Sequence, residues 1–180
     1  IYANVAYVRG LSSFYEAFRE AGADSVLLPD VPVRESVPFS EAALAAGVDP
    51  IYIAPAKASP QTLEGAAAQS RGYIYAISRD GVTGADKEAS VDGLREVVDN
   101  VQAYGGAPVL LGFGISTPQH VADAIAAGAV GAITGSAIAN IVAKYTEHPH
   151  PNPARITDID ALTAELSSYV TAMKQATIRA

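Results

Sequence analysis

Two glycine turns are the stretches of this sequence best suited to hold a ligand: Gly112-Phe113-Gly114-Ile115-Ser116 and, further along, Gly135-Ser136. Each follows a short apolar run, Pro108 to Leu111 and Ala129 to Thr134, and each leads into a helix-like pattern. A strand, a glycine turn and a helix start leave backbone N–H groups unpaired and aimed at one spot, where the helix dipole also favours negative charge. Glycine lets an anion come close to the backbone, and a serine hydroxyl at the helix start adds a donor. Neither turn contains lysine or arginine, so a grip made here rests on backbone dipoles and suits a phosphate. One such turn alone reads as a tight connection; two on successive units point to function.

The rest of the composition narrows the class. With 180 residues, 49% hydrophobic and 17% charged, the chain is read as one globular domain over residues 1–180 with a substantial core. No apolar run approaches the roughly eighteen residues of a spanning helix, and the first residues carry no signal-peptide pattern. A net charge of -7 argues against nucleic acid or an anionic membrane as partner. There is no cysteine, hence no disulfide, thiol nucleophile or cysteine-held metal, and a cytoplasmic enzyme is the default. Of the three histidines, His120, His148 and His150, the last two sit in a proline-rich loop, and no metal site is expected.

The elements that must position the two turns repeat along the chain. Ile1-Tyr2-Ala3 reads as the end of a strand, as though the sequence began inside an element, and Asn4 to Gly10 as a loop. Phe14, Ala17, Phe18 and Ala21 mark one helix face, ended by Gly22. Ser25 to Pro29 reads as a strand buried on both faces, Asp30-Val31-Pro32 as its loop, and Phe39, Ala42, Ala43 and Ala46 as a helix stopped by Gly47. Pro50 to Ala54 and Tyr73 to Ile77 are the next strands, separated by a short helix with Leu63, Ala66 and Ala67. Ser78 to Gly84 is the longest strand-to-helix loop. Leu94, Val97, Val98 and Val101 give a helical stripe, followed by the strand at Val109, a helix opened by Thr117-Pro118 and the strand at Ala132. Gly135-Ser136 starts a short helix. His148 to Pro153 is a loop, and Thr157 or Asp158 caps a last helix whose Leu162, Leu166, Tyr169, Val170 and Met173 face one way.

This gives five complete strands and part of a sixth, each followed by a helix. Strict alternation means a parallel sheet with right-handed crossovers, either doubly wound or a (β/α)8 TIM barrel. The grip lies after the last two strands, where that barrel commonly holds phosphate, with a short helix beyond it, so the barrel is the expected fold. A barrel has eight strands and about 250 residues. The first two strands and part of the third are therefore expected to be absent from this sequence.

Ser78-Arg79-Asp80-Gly81-Val82-Thr83-Gly84, the 112–116 turn and Gly135-Ser136-Ala137-Ile138, with Tyr2-Ala3-Asn4 and Asp30-Val31-Pro32, resemble the alpha chain of tryptophan synthase in order and spacing. The resemblance implies a lyase of tryptophan biosynthesis that cleaves indole-3-glycerol phosphate by a retro-aldol step to indole and glyceraldehyde 3-phosphate. It implies no cofactor on this chain, and an α2β2 assembly with a beta chain that uses pyridoxal phosphate. Its acid-base pair, a glutamate and an aspartate, would precede Ile1, so these 180 residues alone are expected to be inactive, and Asp30, Asp80 and Asp86 receive no catalytic role.

By the same resemblance Gly112, Phe113, Gly114, Gly135 and Ser136 hold the phosphate, with Gly84 as a further donor, and Thr83 helps orient the missing aspartate when its loop closes. Tyr2, Leu27, Ile53, Tyr75 and Ile133 line the indole slot, although inward-facing apolar residues also simply fill a barrel. Asn4 and Pro32 contact the beta chain. Arg79 is read on its own terms, as a charged loop residue solvated or paired with a neighbour such as Asp80 or Asp86 rather than as a phosphate ligand. Two other readings stay open: a sister phosphate-binding barrel of the sugar-phosphate isomerase or indoleglycerol phosphate synthase type, which lacks the 78–84 loop motif, and a catalytically silent ligand- or partner-binding fragment.

Overall fold

The computed structural model describes residues 1–77, 91, 93–148 and 153–178. In chain order its elements are α1 (Ala3–Arg9), α2 (Leu11–Glu20), β1 (Ser25–Leu27), a 3-10 turn at Val33–Glu35, α3 (Val37–Ala46), β2 (Asp49–Ile51), β3 (Ile53–Pro55) and α4 (Pro60–Gln69). There follow β4 (Ile74–Ile77), α5 (Leu94–Ala103), β5 (Val109–Gly112), α6 (Pro118–Ala126), β6 (Gly131–Ala132), α7 (Ser136–Lys144), β7 (Thr146–Glu147), β8 (Arg155–Ile156) and α8 (Ile159–Gln175).

Strand β1 pairs with β2, and β3 to β6 pair in sequence, all parallel. The expected single strand from Pro50 to Ala54 is thus two ladders on one extended run. Its first half bonds back to β1 and its second forward to β4. At the changeover the Tyr52 N–H donates to Ser70 Oγ (3.1 Å) and the Tyr52 carbonyl accepts from the Tyr75 N–H (3.1 Å). Parallel neighbours therefore follow chain order throughout. A doubly wound sheet reverses its order at a switch point, whereas unbroken chain order is the wall of a barrel.

Side-chain alternation sorts this wall into two faces. Ala54, Ile74, Ala76, Val109 and Leu111 pack under α4, α5 and α6, against the stripe Leu94, Val97, Val98 and Val101, all buried. Val26, Leu28 and Tyr52 pack with Phe14 and Tyr15 of α2 and with Phe39 and Ala43 of α3. Burying each valine- or leucine-sized side chain stabilises by about 1.5–3 kcal/mol, so the helix-facing side holds the wall together. The other face is only half-covered: Leu27, Ile53, Tyr75 and Leu110 are intermediate in exposure, while Ile51 and Ile77 on the same side are buried. Leu27 is therefore not buried on both sides as expected for its strand.

Local caps fix the helix starts. Thr117 accepts from the His120 N–H and Asp158 from the Ala161 N–H, while the Thr157 hydroxyl donates instead to the Tyr145 carbonyl. Asp158 is thus the cap of α8. Thr117→Ala and Asp158→Ala are each expected to lose about 1 kcal/mol, read as a lower thermal midpoint.

Three further expectations change. Residues 3–9 are helical rather than a strand end and loop. Tyr2 is extended (φ -92°, ψ 149°), but among the described residues it joins no ladder; the Ala3 N–H goes to the Asp30 carboxylate (2.9 and 3.1 Å), and Ala3 and Ala6 are buried on one side of the helix. Val170 turns outward from α8 at 51% exposure, because α8 buries only its Leu162 and Met173 side. Finally, Thr146–Glu147 and Arg155–Ile156 form an antiparallel pair, β7 and β8, pinned by Arg155 on Glu147 (3.0 Å), where no strand is expected from sequence.

Candidate functional site

Because the wall strands are parallel, their C-terminal ends share one rim, and the turns after β5 and β6 stand side by side there. Register pairs Leu111 with Ala132, so Gly112 falls opposite Ile133. A side-chain bond joins the turns: the Thr134 hydroxyl donates to the Ile115 carbonyl (2.9 Å) and also meets the Tyr169 hydroxyl of α8 (2.9 Å). The two glycine turns are therefore one structure, tied across adjacent strands.

Backbone conformation shapes the first turn. Phe113 has φ 66° and Gly114 φ 72°, a left-handed pair in which Phe113 is the one non-glycine residue at positive φ among the described residues. Holding a phenylalanine there costs roughly 1–2 kcal/mol. Its ring is held edge-on to Tyr75 with centroids 6.2 Å apart. Gly112 is required for a different reason: a Cβ there would sit inside 3.0 Å of the Tyr75 ring and hydroxyl, since that phenol lies directly over the glycine.

Among the described residues the N–H groups of Gly114, Gly135 and Ser136, in the two tied turns, meet no protein acceptor, and Ser136 begins α7, whose dipole is positive at that end. Space in front of Gly135 is open, with nothing within 4 Å of where a Cβ would be. The Ser116 N–H is already taken by His120 Nδ1 (3.3 Å). His120 and Thr134 are the two supporting residues that sequence reading missed. Their partners lie across a turn or on the next strand, and neither is flagged by a local pattern.

The apolar residues expected along a slot share a face. Ile53 pairs with Tyr75, Ile77 with Gly112 and Leu27 with Ile51, so Leu27, Ile53, Tyr75 and Ile133 all project from the half-covered side, the side on which Gly112 lies. Tyr2 stands before α1 at 66% exposure. Asn4 and Pro32, both exposed, are brought to one part of the rim by the Ala3–Asp30 bonds. Thr83 and Gly84, with Arg79, Asp80, Asp86 and the whole 78–84 loop, lie outside the described residues, as does His150.

Burial lifts the Tyr75 phenol above its usual 10.0; neighbouring Tyr73 adds to the lift and the Phe113 backbone opposes it. Burial likewise raises Tyr15, Tyr52 and Tyr73. The folded state then holds these protons more tightly than the unfolded one. The tyrosines' contribution to stability is expected to be level below about pH 10 and to fall as pH rises from there toward the raised folded values. An alkaline series of thermal midpoints, with tyrosinate absorbance beside it, checks this; a midpoint that falls only together with an unshifted tyrosinate curve contradicts it.

Comparison with known proteins gives a consistent result. The family model for the tryptophan synthase alpha chain matches residues 1–176. A tryptophan synthase alpha chain of Corynebacterium glutamicum is 67% identical over 177 residues, covering 98% of this chain and 63% of that protein; one of Citrobacter koseri is 45% identical, covering 98% and 62%. The chain thus spans 63% of the length of the first of these. The solved structure of Mycobacterium tuberculosis tryptophan synthase superposes with TM-score 0.79 at 24% identity, over 99% of this chain and 61% of that one. The tryptophan synthase a2b2 complex of Pyrococcus furiosus gives TM-score 0.75 at 21% identity, over 97% and 64%. At such identities the structural likeness speaks for the fold, and the wall described above is part of a (β/α)8 barrel.

Proposed function

The chain belongs to the tryptophan synthase alpha chain family, and from that premise we propose that the polypeptide carrying it is a lyase that cleaves indole-3-glycerol phosphate to indole and glyceraldehyde 3-phosphate in tryptophan biosynthesis. The observation that carries this reading is the pair of rim turns, tied by Thr134 and Ile115, beside a single apolar face. Gly114, Gly135 and Ser136 offer amides to the phosphate, while Ile53, Tyr75, Ile133 and Leu27 receive the indole ring. Sister phosphate-binding barrels would share the grip, and the family match sets them aside.

The reaction needs a proton delivered to indole C3, so that the ring draws the electrons of the breaking carbon-carbon bond, and a base for the glycerol hydroxyl that becomes the aldehyde. Two carboxyl groups in different environments can do this without metal or cofactor. In the reading proposed here they are not among these 180 residues, which supply binding, with Thr83 and Gly84 in a supporting role. This chain carries no cofactor of its own. It works in the cytoplasm with a pyridoxal phosphate-bearing beta chain in an α2β2 assembly, which receives the indole, and Asn4 and Pro32 face that partner.

Gly135→Ala tests the grip with little disturbance to the fold. No protein atom obstructs the new methyl group, so stability should stay within about 0.5 kcal/mol, whereas KM for indole-3-glycerol phosphate in the full polypeptide should rise about tenfold. An unchanged KM would remove the phosphate from this rim. The 180 residues alone are expected to release no indole, and measurable turnover by them would contradict the placement of the acid and base elsewhere.

A further inference from the structure

The turn after β1 is braced from below by polar groups that a barrel wall does not ordinarily need. Tyr52 is buried where the wall strand changes partners, and its phenol passes under the turn: the hydroxyl donates to the Ser36 carbonyl (3.1 Å) and meets Ser40 Oγ (3.0 Å). Ser36, fully buried, in turn donates through Oγ to the Val33 carbonyl (2.6 Å). The backbone closes the same turn, with the Glu35 N–H on the Pro32 carbonyl (2.8 Å) and the Ser36 N–H on the Val33 carbonyl (3.1 Å).

A second contact fixes the turn from the side. Val33 sits on Gly65 of α4 so closely that a Cβ at Gly65 would collide with its Cγ1. Glycine inside a helix costs about 1 kcal/mol relative to alanine, and here the missing side chain is the hole that receives Val33. Above these anchors Pro32, Arg34 and Glu35 face solvent, the latter two with side chains 81% and 61% exposed. Buried polar groups held on every side specify one position for what they support.

We infer that Tyr52 is a positioning residue for the partner-facing turn: its phenol, seated between Ser40 and Ser36, sets where Pro32–Glu35 stands on the rim and thereby the affinity for the beta chain. This deepens the functional reading above and rests on it. The next residue, Ile53, projects into the proposed ring slot, so one stretch of strand carries both the slot and the support of the docking turn.

Tyr52→Phe keeps the ring and removes only the hydroxyl. In the full polypeptide, beta-chain affinity measured by titration is expected to fall about tenfold, while binding of glycerol phosphate at the grip stays within about twofold. Amide exchange at Glu35 and Ser36 should accelerate with the α4 amides unchanged, a local effect that a general loss of stability does not produce. Gly65→Ala, which displaces Val33 from the other side, should reproduce the loss of partner affinity. Partner affinity in Tyr52→Phe within twofold of the parent overturns the inference. A parent chain that binds no beta chain removes the functional reading instead, and unchanged exchange at Glu35 and Ser36 in the variant then overturns the inference separately.

Discussion

Gly112→Ala is expected to weaken binding of a phosphate ester about a hundredfold, ~2.7 kcal/mol, and to lower stability by about 1–3 kcal/mol. The new methyl group falls inside 3.0 Å of the Tyr75 ring and hydroxyl, a separation carbon atoms do not accept. Two escapes exist. Tyr75 can swing away into the half-covered face, or the end of β5 can move and carry Phe113 and Gly114 away from Gly135. The first fills the ring slot and the second opens the grip. Glycerol phosphate, which has no aromatic ring, separates them: it keeps its affinity if Tyr75 moves and loses it if the strand moves. The strand shift is the expected response, because Phe113 at φ 66° leans its ring on Tyr75 and resists displacement of that phenol. Tyr75→Ala in the same chain should then restore glycerol phosphate binding to Gly112→Ala, so that the two changes are strongly non-additive. Additive losses would mean that Tyr75 does not dictate the residue at 112.

That both residues could be singled out from sequence has a local cause. A glycine turn before a helix start declares its free amides through three or four adjacent residues, and side-chain alternation assigns Ile53 and Tyr75 to one face once their strands are recognised. The stripe Leu94, Val97, Val98 and Val101 was equally legible, since its 3.6-residue period survives in the folded chain with all four buried. What escaped reading depends on distant partners. Helix α1 begins where it does because Asp30, 27 residues away, takes the Ala3 amide. Tyr52 divides a strand because hydrogen-bonding neighbours change there, a choice made by tertiary arrangement alone. The pairing of Thr146–Glu147 with Arg155–Ile156 joins segments too short to show alternation. Thr134 reads as a strand-end threonine until Ile115 is brought opposite it. Residues 78–84, the motif that separates the family from sister phosphate-binding barrels, lie outside the described residues.

Leu111→Ala is expected to produce the largest loss of stability, about 3 kcal/mol within the usual 2–5 kcal/mol for such a truncation, and to leave ligand affinity per folded molecule within about twofold. Leu111 is fully buried in the cluster formed with α5 and α6, where a removed isobutyl group leaves a void that neighbouring helices cannot fill without losing their own contacts. At about 2–4 °C per kcal/mol for a chain of this size, the thermal midpoint should drop by roughly 6–12 °C. Yet the backbone of Leu111 keeps its ladder position, with its carbonyl accepting from the Ile133 N–H (2.8 Å), and that bond holds the two rim turns in register whatever the side chain. Adjacent residues on one strand thus divide the labour: Leu111 faces the helices and carries stability, while Gly112 faces the ligand side and carries geometry. Denaturant titration beside glycerol phosphate binding, both on the full polypeptide, measures the division directly. If affinity per folded molecule falls with stability in Leu111→Ala, the two faces of the wall are mechanically coupled, and a grip defined by backbone register alone is the wrong description of the rim.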